Sequence, residues 1–476
     1  MNILKSFGIV FFLNILEYLI SPFSTMVITK ALSVSDYGSY SLLISMSGLI
    51  FSFFTLGLSQ YNCKIVPGRD IDEQYDILGQ SILYELLSAL IGVSILCFVF
   101  NQKLNNTYLL MFFAIKTLLS IIINEIIRFF GYQKKNVTKS VISFLDSRGW
   151  FFIILILAFL KKITITNILL IQLINSLIVL LTISFFIDKK NFFCHLRINK
   201  TFATNVLKIS ISFVFIDVGM YLLEMASRYI LTIQASMESV GLFSFAYSWI
   251  SILFKFSMLV VYLLQPYFSE AFYKSKESQD YFERYKKYTK IAFKYSVLLI
   301  ICAISLLFFY YEQIVSIIGK TDYFITYNAF KALMLLPLFM LLAYFFQIIL
   351  LLAGKEKLFP ICYLIMGIFN IVLNIIFIKW LDYVGAAIVC TICYAILSGL
   401  FYIFCPKEYI NHLVTVKEVF LFLGITILFC LSCCLFRKII EIKILSMLLS
   451  FLFESFIISL IVFTNKNELK FLREAK

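Results

Sequence analysis

Apolar residues run along this chain in long blocks separated by short polar turns. A membrane-spanning helix needs about 20 mostly apolar residues. Fourteen blocks reach that length, near residues 8–29, 39–60, 77–100, 108–131, 141–160, 166–187, 207–234, 240–264, 291–311, 327–352, 359–378, 384–405, 416–436 and 443–464. Backbone groups in lipid must be satisfied within their own segment, so each block is predicted to be a helix. Even spacing and short turns predict an all-α integral membrane bundle. The first block lacks an A-x-A-like site and reads as a span, not a cleavable leader.

Composition agrees with that pattern. Of 476 residues, 62% are hydrophobic and 14% charged, against about 25% charged in soluble domains. The 11 cysteines are odd in number and sit mostly in apolar runs, so no disulfide framework is expected. Cys390 and Cys393 form a C-x-x-C inside a span, where packing is the expected role. His195 and His412 lie far apart in polar turns, read as solvated, with no zinc-ligand spacing. No P-loop pattern occurs, and no cofactor or metal is expected.

The net charge of +14 raises nucleic acid as a partner, but its placement argues for topology instead. With both termini cytoplasmic, Lys and Arg in one set of turns outnumber those in the other by roughly 2.5 to one. Lys161, Lys162, Arg437 and Lys438 run against the rule. Residues 270–294 interleave Arg284, Lys286, Lys287 and Lys290 with Tyr281, Phe282, Tyr285 and Tyr288. They are predicted to form an amphipathic helix on anionic headgroups, making membrane lipids the partner and excluding nucleic acid.

The chain also repeats itself. Ser33, Gly38, Tyr40 and Ser41 in the turn after span one match Ser236, Gly241, Phe243 and Ser244 in the turn after span seven. Gly131 after span four matches Gly354 after span ten, with the offset growing from about 203 to about 223 residues. Each half holds six spans, an even number, which makes the repeat parallel. The expected organisation is a six-helix lobe over 1–203, a second over 204–410, and two further helices with a tail over 411–476. Two such lobes form the basic plan of an alternating-access transporter.

On these landmarks the sequence resembles the polysaccharide transporters of the MOP flippase superfamily, the Wzx-type O-antigen and capsule repeat-unit flippases. The matching residues are Asp36, Tyr37, Gly38 and Tyr40, then Thr55 and Gly57; Ser239, Val240, Gly241 and Phe243, then Gln265 and Pro266 at the end of span eight; Ala353, Gly354 and Lys355; and Asn370, Asn374, Gly385, Ala386 and Ala387. Arg228 and Tyr229 occupy the place of a charged residue and an aromatic near the end of span seven. The resemblance implies a flippase of the bacterial cytoplasmic membrane, not an enzyme. It would move an undecaprenyl-diphosphate-linked oligosaccharide through a central cavity, for surface polysaccharide assembly beside a polymerase. The chain departs from lipid II flippases, which are richer in arginine at the start, where span one offers Glu17.

Charges inside spans are costly and mark functional candidates. Span seven carries Asp217, Tyr221, Glu224 and Arg228 on one face, either as path and proton site or as an ion-pair brace. Span four carries Lys116, Ser120, Asn124 and Arg128 on one ridge, with Glu125 beside it. Lys116, Arg128, Arg148, Arg228 and Lys255 are candidate contacts for a diphosphate, although Arg148 is expected to pair with Asp146. Asn370 and Asn374 are placed for interhelical hydrogen bonds or sugar contact. Glu17, on one face with Asn14, Tyr18 and Ser21 before a Pro22 kink, joins Glu85, Asp217 and Glu224 as candidates for a coupling ion, H+ or Na+. Structural carboxylates are the alternative. Two rival functions stay open. A glycan polymerase or ligase would want a large extracytoplasmic loop, and a multidrug exporter of the same superfamily would want twelve spans.

Overall fold

The structure is a computed structural model and describes residues 3–66, 69–104, 106–160, 162–275, 278–465, 468 and 470–471. Lys161, most of the basic tail and the side chain of Asn14 lie outside the described residues. In chain order the helices are α1 (Ile3–Ala31), α2 (Val34–Leu49), α3 (Leu58–Ile65), α4 (Ile71–Leu104), α5 (Thr107–Tyr132), α6 (Asn136–Phe159), α7 (Ile165–Ile183), the short α8 (Lys189–Cys194) and α9 (Lys200–Gln234). Then follow α10 (Met237–Lys274), α11 (Gln279–Phe309), α12 (Tyr311–Ile318), α13 (Tyr327–Leu333), α14 (Leu336–Leu352), α15 (Leu358–Phe404), α16 (Val416–Ile439) and α17 (Lys443–Thr464). Among the described residues there is no strand.

By length and composition, ten helices among the described residues could cross a membrane, counting α2 with the π-helical turn that follows it, and the stretch from Thr321 to Leu352, bent by 42°, makes up to eleven if it is one broken span. The helix α15 is two helices meeting at Asp382, whose backbone (φ 50, ψ −135) is not helical. The remaining predicted spans fall on α1 and α9, 29 and 35 residues long. The chain is a multi-pass membrane protein, and polar residues start several of its helices. Ser33, Asn106 and Thr164 each accept a backbone N–H three residues on, satisfying one orphan donor of the first turn.

The chain packs as two units, Met1–Ser244 with Phe359–Ala386, and Phe245–Leu358 with Ala387–Lys476. In the first, α1 packs on α6, α5 on α4 and α7, and α9 on α2 and α3. Residues Thr55 to Gly57 mark a break. A π-helical turn over Ile50–Phe54 leads into left-handed Leu56 (φ 55) and Gly57 (φ 66), which release α3 to pack on α9. A wide turn of this kind often sits at a functional site. Pro22 lies within α1 and Pro266 within α10, and neither ends its helix.

The repeat is built into the first unit. Helices α1 and α9 end at Ala31 and Gln234, and α2 and α10 start at Val34 and Met237, both pairs 203 residues apart. The glycines of the two turns meet reciprocally. A Cβ on Gly38 would fall 2.0 Å from the Met237 carbonyl oxygen, and one on Gly241 2.0 Å from that of Val34. Only glycine allows so close a backbone approach. Ser41 Oγ donates to Ser244 Oγ at 2.7 Å, again across 203 residues. The second match needs correcting. Lys134 (φ 58) and Gly354 (φ 71) are the left-handed residues after α5 and α14. Around them the bonds Lys134 N to Gly131 O and Lys135 N to Phe130 O mirror Gly354 N to Leu351 O and Lys355 N to Leu350 O. The true partner of Gly354 is therefore Lys134, at an offset of 220 rather than 223. Glycine identity misled because a lysine takes the strained position in the first half.

In the second unit, α16 and α17 pack on α11 around Leu298, Cys302, Ile425 and Phe429. Fully buried Glu454 on α17 accepts from Ser305 Oγ (2.9 Å) and Cys433 Sγ (3.3 Å), and Tyr310 Oη contacts Ser446 and Ser450. At the break between α13 and α14, Thr391 Oγ1 donates to the freed Ala332 carbonyl at 2.7 Å, the kind of substitution that lets a broken helix persist in lipid. The basic segment 270–294 forms no separate surface helix. It is the end of α10 and the start of the continuous α11. Four of its cations, Lys274, Arg284, Lys286 and Lys290, pair with Glu270, Asp280, Glu283 and Glu418. His412 is not a solvated loop residue either. Its Nε2 lies 2.7 Å from Thr289 Oγ1 and its ring meets Tyr285 edge-on. Burial, then Lys286 and Lys290, push its pKa down to about 4.

Candidate functional site

Ten of the eleven candidate side chains fall in the first unit, where three polar groups form. The first joins α1, α2, α5, α6 and α7. Arg148 Nη2 reaches Glu17 Oε1 at 4.0 Å. The expected pairing of Arg148 with Asp146 does not describe this arrangement, since Asp146 has Lys116 as its electrostatic partner. Two residues apart on α6, Asp146 and Arg148 point to different neighbours. Tyr40 and Gln172, not singled out by sequence, add a bond of 3.1 Å between α2 and α7. Arg148 and Glu17 are 18% and 32% exposed. This group offers two cations and two carboxylates on neighbouring helices, with the Arg148–Glu17 pair partly exposed.

The second group sits on α4 and α5. Arg128 pairs with Glu125 one turn away. Fully buried Glu85 lies beside that pair, and Asp217 on α9 faces Arg128. Along the same ridge, Ser120 Oγ donates to the Lys116 carbonyl and Asn124 Nδ2 to that of Ser120, which ties these polar side chains to their own helix.

The third group surrounds the repeat contact. Arg228, 4% exposed, donates from Nε to Ser41 Oγ (3.0 Å) and Ser244 Oγ (3.1 Å), and from Nη1 to the Glu224 carbonyl oxygen (3.3 Å). Its guanidinium lies 5.7 Å from the Phe243 ring centre. Tyr221 donates to the Ser45 carbonyl oxygen and meets Tyr229 Oη at 2.8 Å, its ring packed on Gly48. Glycine recurs where α9 crosses α15, since a Cβ on Gly219 would fall 2.6 Å from the Tyr363 carbonyl carbon.

Asn370 and Asn374 are fully buried, and Asn374 Nδ2 donates to Asn370 O and Oδ1 at 2.8 Å. The bonds described for the pair run within one helix, as a four-residue spacing allows, and leave Asn370 Nδ2 and Asn374 Oδ1 buried without a partner. Lys255, the candidate in the second unit, is exposed on α10. The second unit also carries a groove of about 340 Å³ lined by Val260, Leu263, Leu264, Ile291, Leu299 and Ile458, with Tyr295 and Glu468 at its polar end. Glu468 accepts from Lys294 Nζ (2.8 Å) and Tyr295 Oη (2.7 Å) there. Among the described residues no three His, Cys, Asp or Glu side chains are grouped to hold a metal ion.

No family model matches the chain, and no curated protein matches it. Among solved structures it is similar to the lipid II flippase MurJ in an inward closed conformation. The TM-score is 0.71 at 16% identity, over 94% of this chain and 98% of that one. It is also similar to an inward-facing multidrug resistance MATE family transporter of the MOP superfamily, with a TM-score of 0.58 at 10% identity, over 83% of this chain and 94% of that one. At these identities the likeness is one of fold. The chain has the fold of MOP-superfamily transporters and flippases, and a fold alone does not name a substrate.

Proposed function

We propose that this protein is a flippase that moves a polyprenyl-diphosphate-linked oligosaccharide across the bacterial cytoplasmic membrane, with both termini cytoplasmic, for surface polysaccharide assembly. The observation that carries the reading is the near full-length likeness to a lipid flippase, which is fuller and closer than the likeness to a multidrug transporter. Two features of the chain support it. The apolar groove between α10, α11 and α17 suits a polyprenyl chain, whose transfer from one apolar surface to another costs little. Lys116 and Arg148 in the first unit and Lys255 in the second supply cations for a diphosphate, where charge-assisted hydrogen bonds are strong, while Arg128 and Arg228 are engaged with Glu125 and with Ser41 and Ser244. The lobes 1–203 and 204–410, with 411–476 beside them, are the proposed moving parts of alternating access. A polymerase would take up the product.

The second reading, a multidrug exporter, draws on the MATE-like fold. Reconstitution separates the two. Proteoliposomes should move lipid-linked oligosaccharide to the opposite leaflet, and Lys116→Ala and Lys255→Ala should each slow that movement while inserting normally. Efflux of a cationic dye without glycan movement would reject the flippase reading. Wild-type rates in both variants would remove those lysines as substrate contacts.

A further inference from the structure

Two carboxyl groups and one guanidinium meet inside the first unit, apart from the Glu17–Arg148 group. Glu85 on α4 is 0% exposed and Glu125 on α5 is 1% exposed. Glu125 accepts from Arg128 Nη1 one turn along α5. The Glu85 carboxyl lies beside that of Glu125, yet neither of its oxygens meets a hydrogen-bond donor. With both carboxyls ionised, two buried negative charges would stand against one positive. The groups around it do not correct the balance. Asp217 on α9 faces Arg128 and adds negative charge. Tyr132 on α5 is engaged with Cys63 Sγ (3.5 Å) and the Ser59 carbonyl (3.5 Å) on α3. Holding two like charges together in a buried site is costly, and a proton shared between the carboxyls removes one of them.

We propose that Glu85 and Glu125 hold one exchangeable proton between them, with Arg128 neutralising the remaining charge, and that this pair is the proton site of the transport cycle. The second half of the proposal rests on the transport reading above. A proton fits better than sodium. A hard cation wants several oxygen ligands, and here two carboxyl groups already share a guanidinium. An O–H on Glu85 donated to Glu125 gives the orphaned oxygen a partner without adding an ion. Exchange has a route, because the Arg128 side chain is 32% exposed. It also has a consequence. Losing the proton strengthens the hold of the α4–α5 carboxyls on Arg128 and weakens its attraction to Asp217. Protonation thereby sets how firmly α5 is drawn to α9, a charge change read by a moving element.

Infrared difference spectroscopy on the full-length protein in nanodiscs at neutral pH tests the site itself. A protonated-carboxyl band should be present in wild type, lost in Glu85→Gln and retained in Glu454→Gln. An unchanged band in Glu85→Gln would overturn the shared proton. A band abolished by sodium at fixed pH would make the site a sodium site and overturn it equally. In proteoliposomes, a pH gradient should speed glycan movement by wild type and leave Glu85→Gln at its gradient-free rate. A Glu85→Gln protein that still answers the gradient would overturn the coupling role. If wild type moves no lipid-linked glycan under any gradient, the transport reading fails on its own, and the infrared result still decides the proton site.

Discussion

The reciprocal glycine contact allows a sharp test. Replacing Gly38 with alanine adds a Cβ 2.0 Å from the Met237 carbonyl oxygen and 2.9 Å from the Gly241 nitrogen. Ordinary contact begins at 3.4 Å, and both obstacles are backbone, so no side chain can rotate out of the way. The starts of α2 and α10 must part by more than an ångström. Overpacking of this kind costs about 1–3 kcal/mol. Parting also stretches the Ser41–Ser244 bond, whose net value is about 0.5–1.5 kcal/mol. The loss should outweigh the gain of about 0.5–1 kcal/mol that alanine brings over glycine inside a helix. The control is Gly399→Ala, where nothing lies within 4 Å of an added Cβ and only that gain remains. In detergent, Gly38→Ala should lower the thermal midpoint and Gly399→Ala should hold or raise it. Equal midpoints for the two variants would refute the contact and, with it, the structural form of the repeat.

Other expectations follow from the second unit and from the repeat. His412 is held neutral, with its pKa near 4 in the folded chain, below its ordinary value of about 6.5. The unfolded chain therefore binds the extra proton first, and stability falls as pH drops from about 6.5 towards 4. The loss is on the order of 1–2 kcal/mol after solvent screening, and His412→Gln should flatten the pH dependence of the thermal midpoint. Thr391→Val should cost about 1–3 kcal/mol by leaving the Ala332 carbonyl unpaired at the helix break, and an unchanged midpoint would show that another donor takes its place. Gly241→Ala should destabilise as much as Gly38→Ala, because each added Cβ meets a backbone oxygen at the same 2.0 Å.

Much of this molecule is legible in local pattern. Hydropathy places fourteen apolar blocks because membrane thickness sets a minimum apolar length. All fall on helical segments, although those at 39–60 and 327–352 are broken, and ten or eleven helices among the described residues qualify as spans by length and composition. The Ser33–Ser41 and Ser236–Ser244 turns announce a repeat that the helix ends repeat to the residue. The glycines in those turns are informative since their lack of a side chain is what lets two backbones touch. The run from Thr55 to Gly57 serves as a family landmark but does not, read alone, disclose a π turn. A wide turn depends on what presses on it, here the Phe54 ring against Gly92 of α4.

The identity of the partners is a different matter. A charge in a span is visible in sequence as a cost, but the group that meets it is set by how neighbouring helices are rotated. Arg148 has Asp146 two residues away, yet it faces Glu17 on another helix. Glu85 stands alone in its span until α5 brings Glu125 and Arg128 against it. Asn370 and Asn374 reverse the lesson, since groups available to other helices bond along their own and leave one amide atom of each unpaired. The amino-acid sequence by itself determined the class of protein, its apolar helical blocks and the first register of its repeat, because those depend on length and local chemistry. Only the tertiary structure decided the second register, the breaks at Gly57, Met334 and Asp382, and the pairing of the buried charges, because those depend on which surfaces meet.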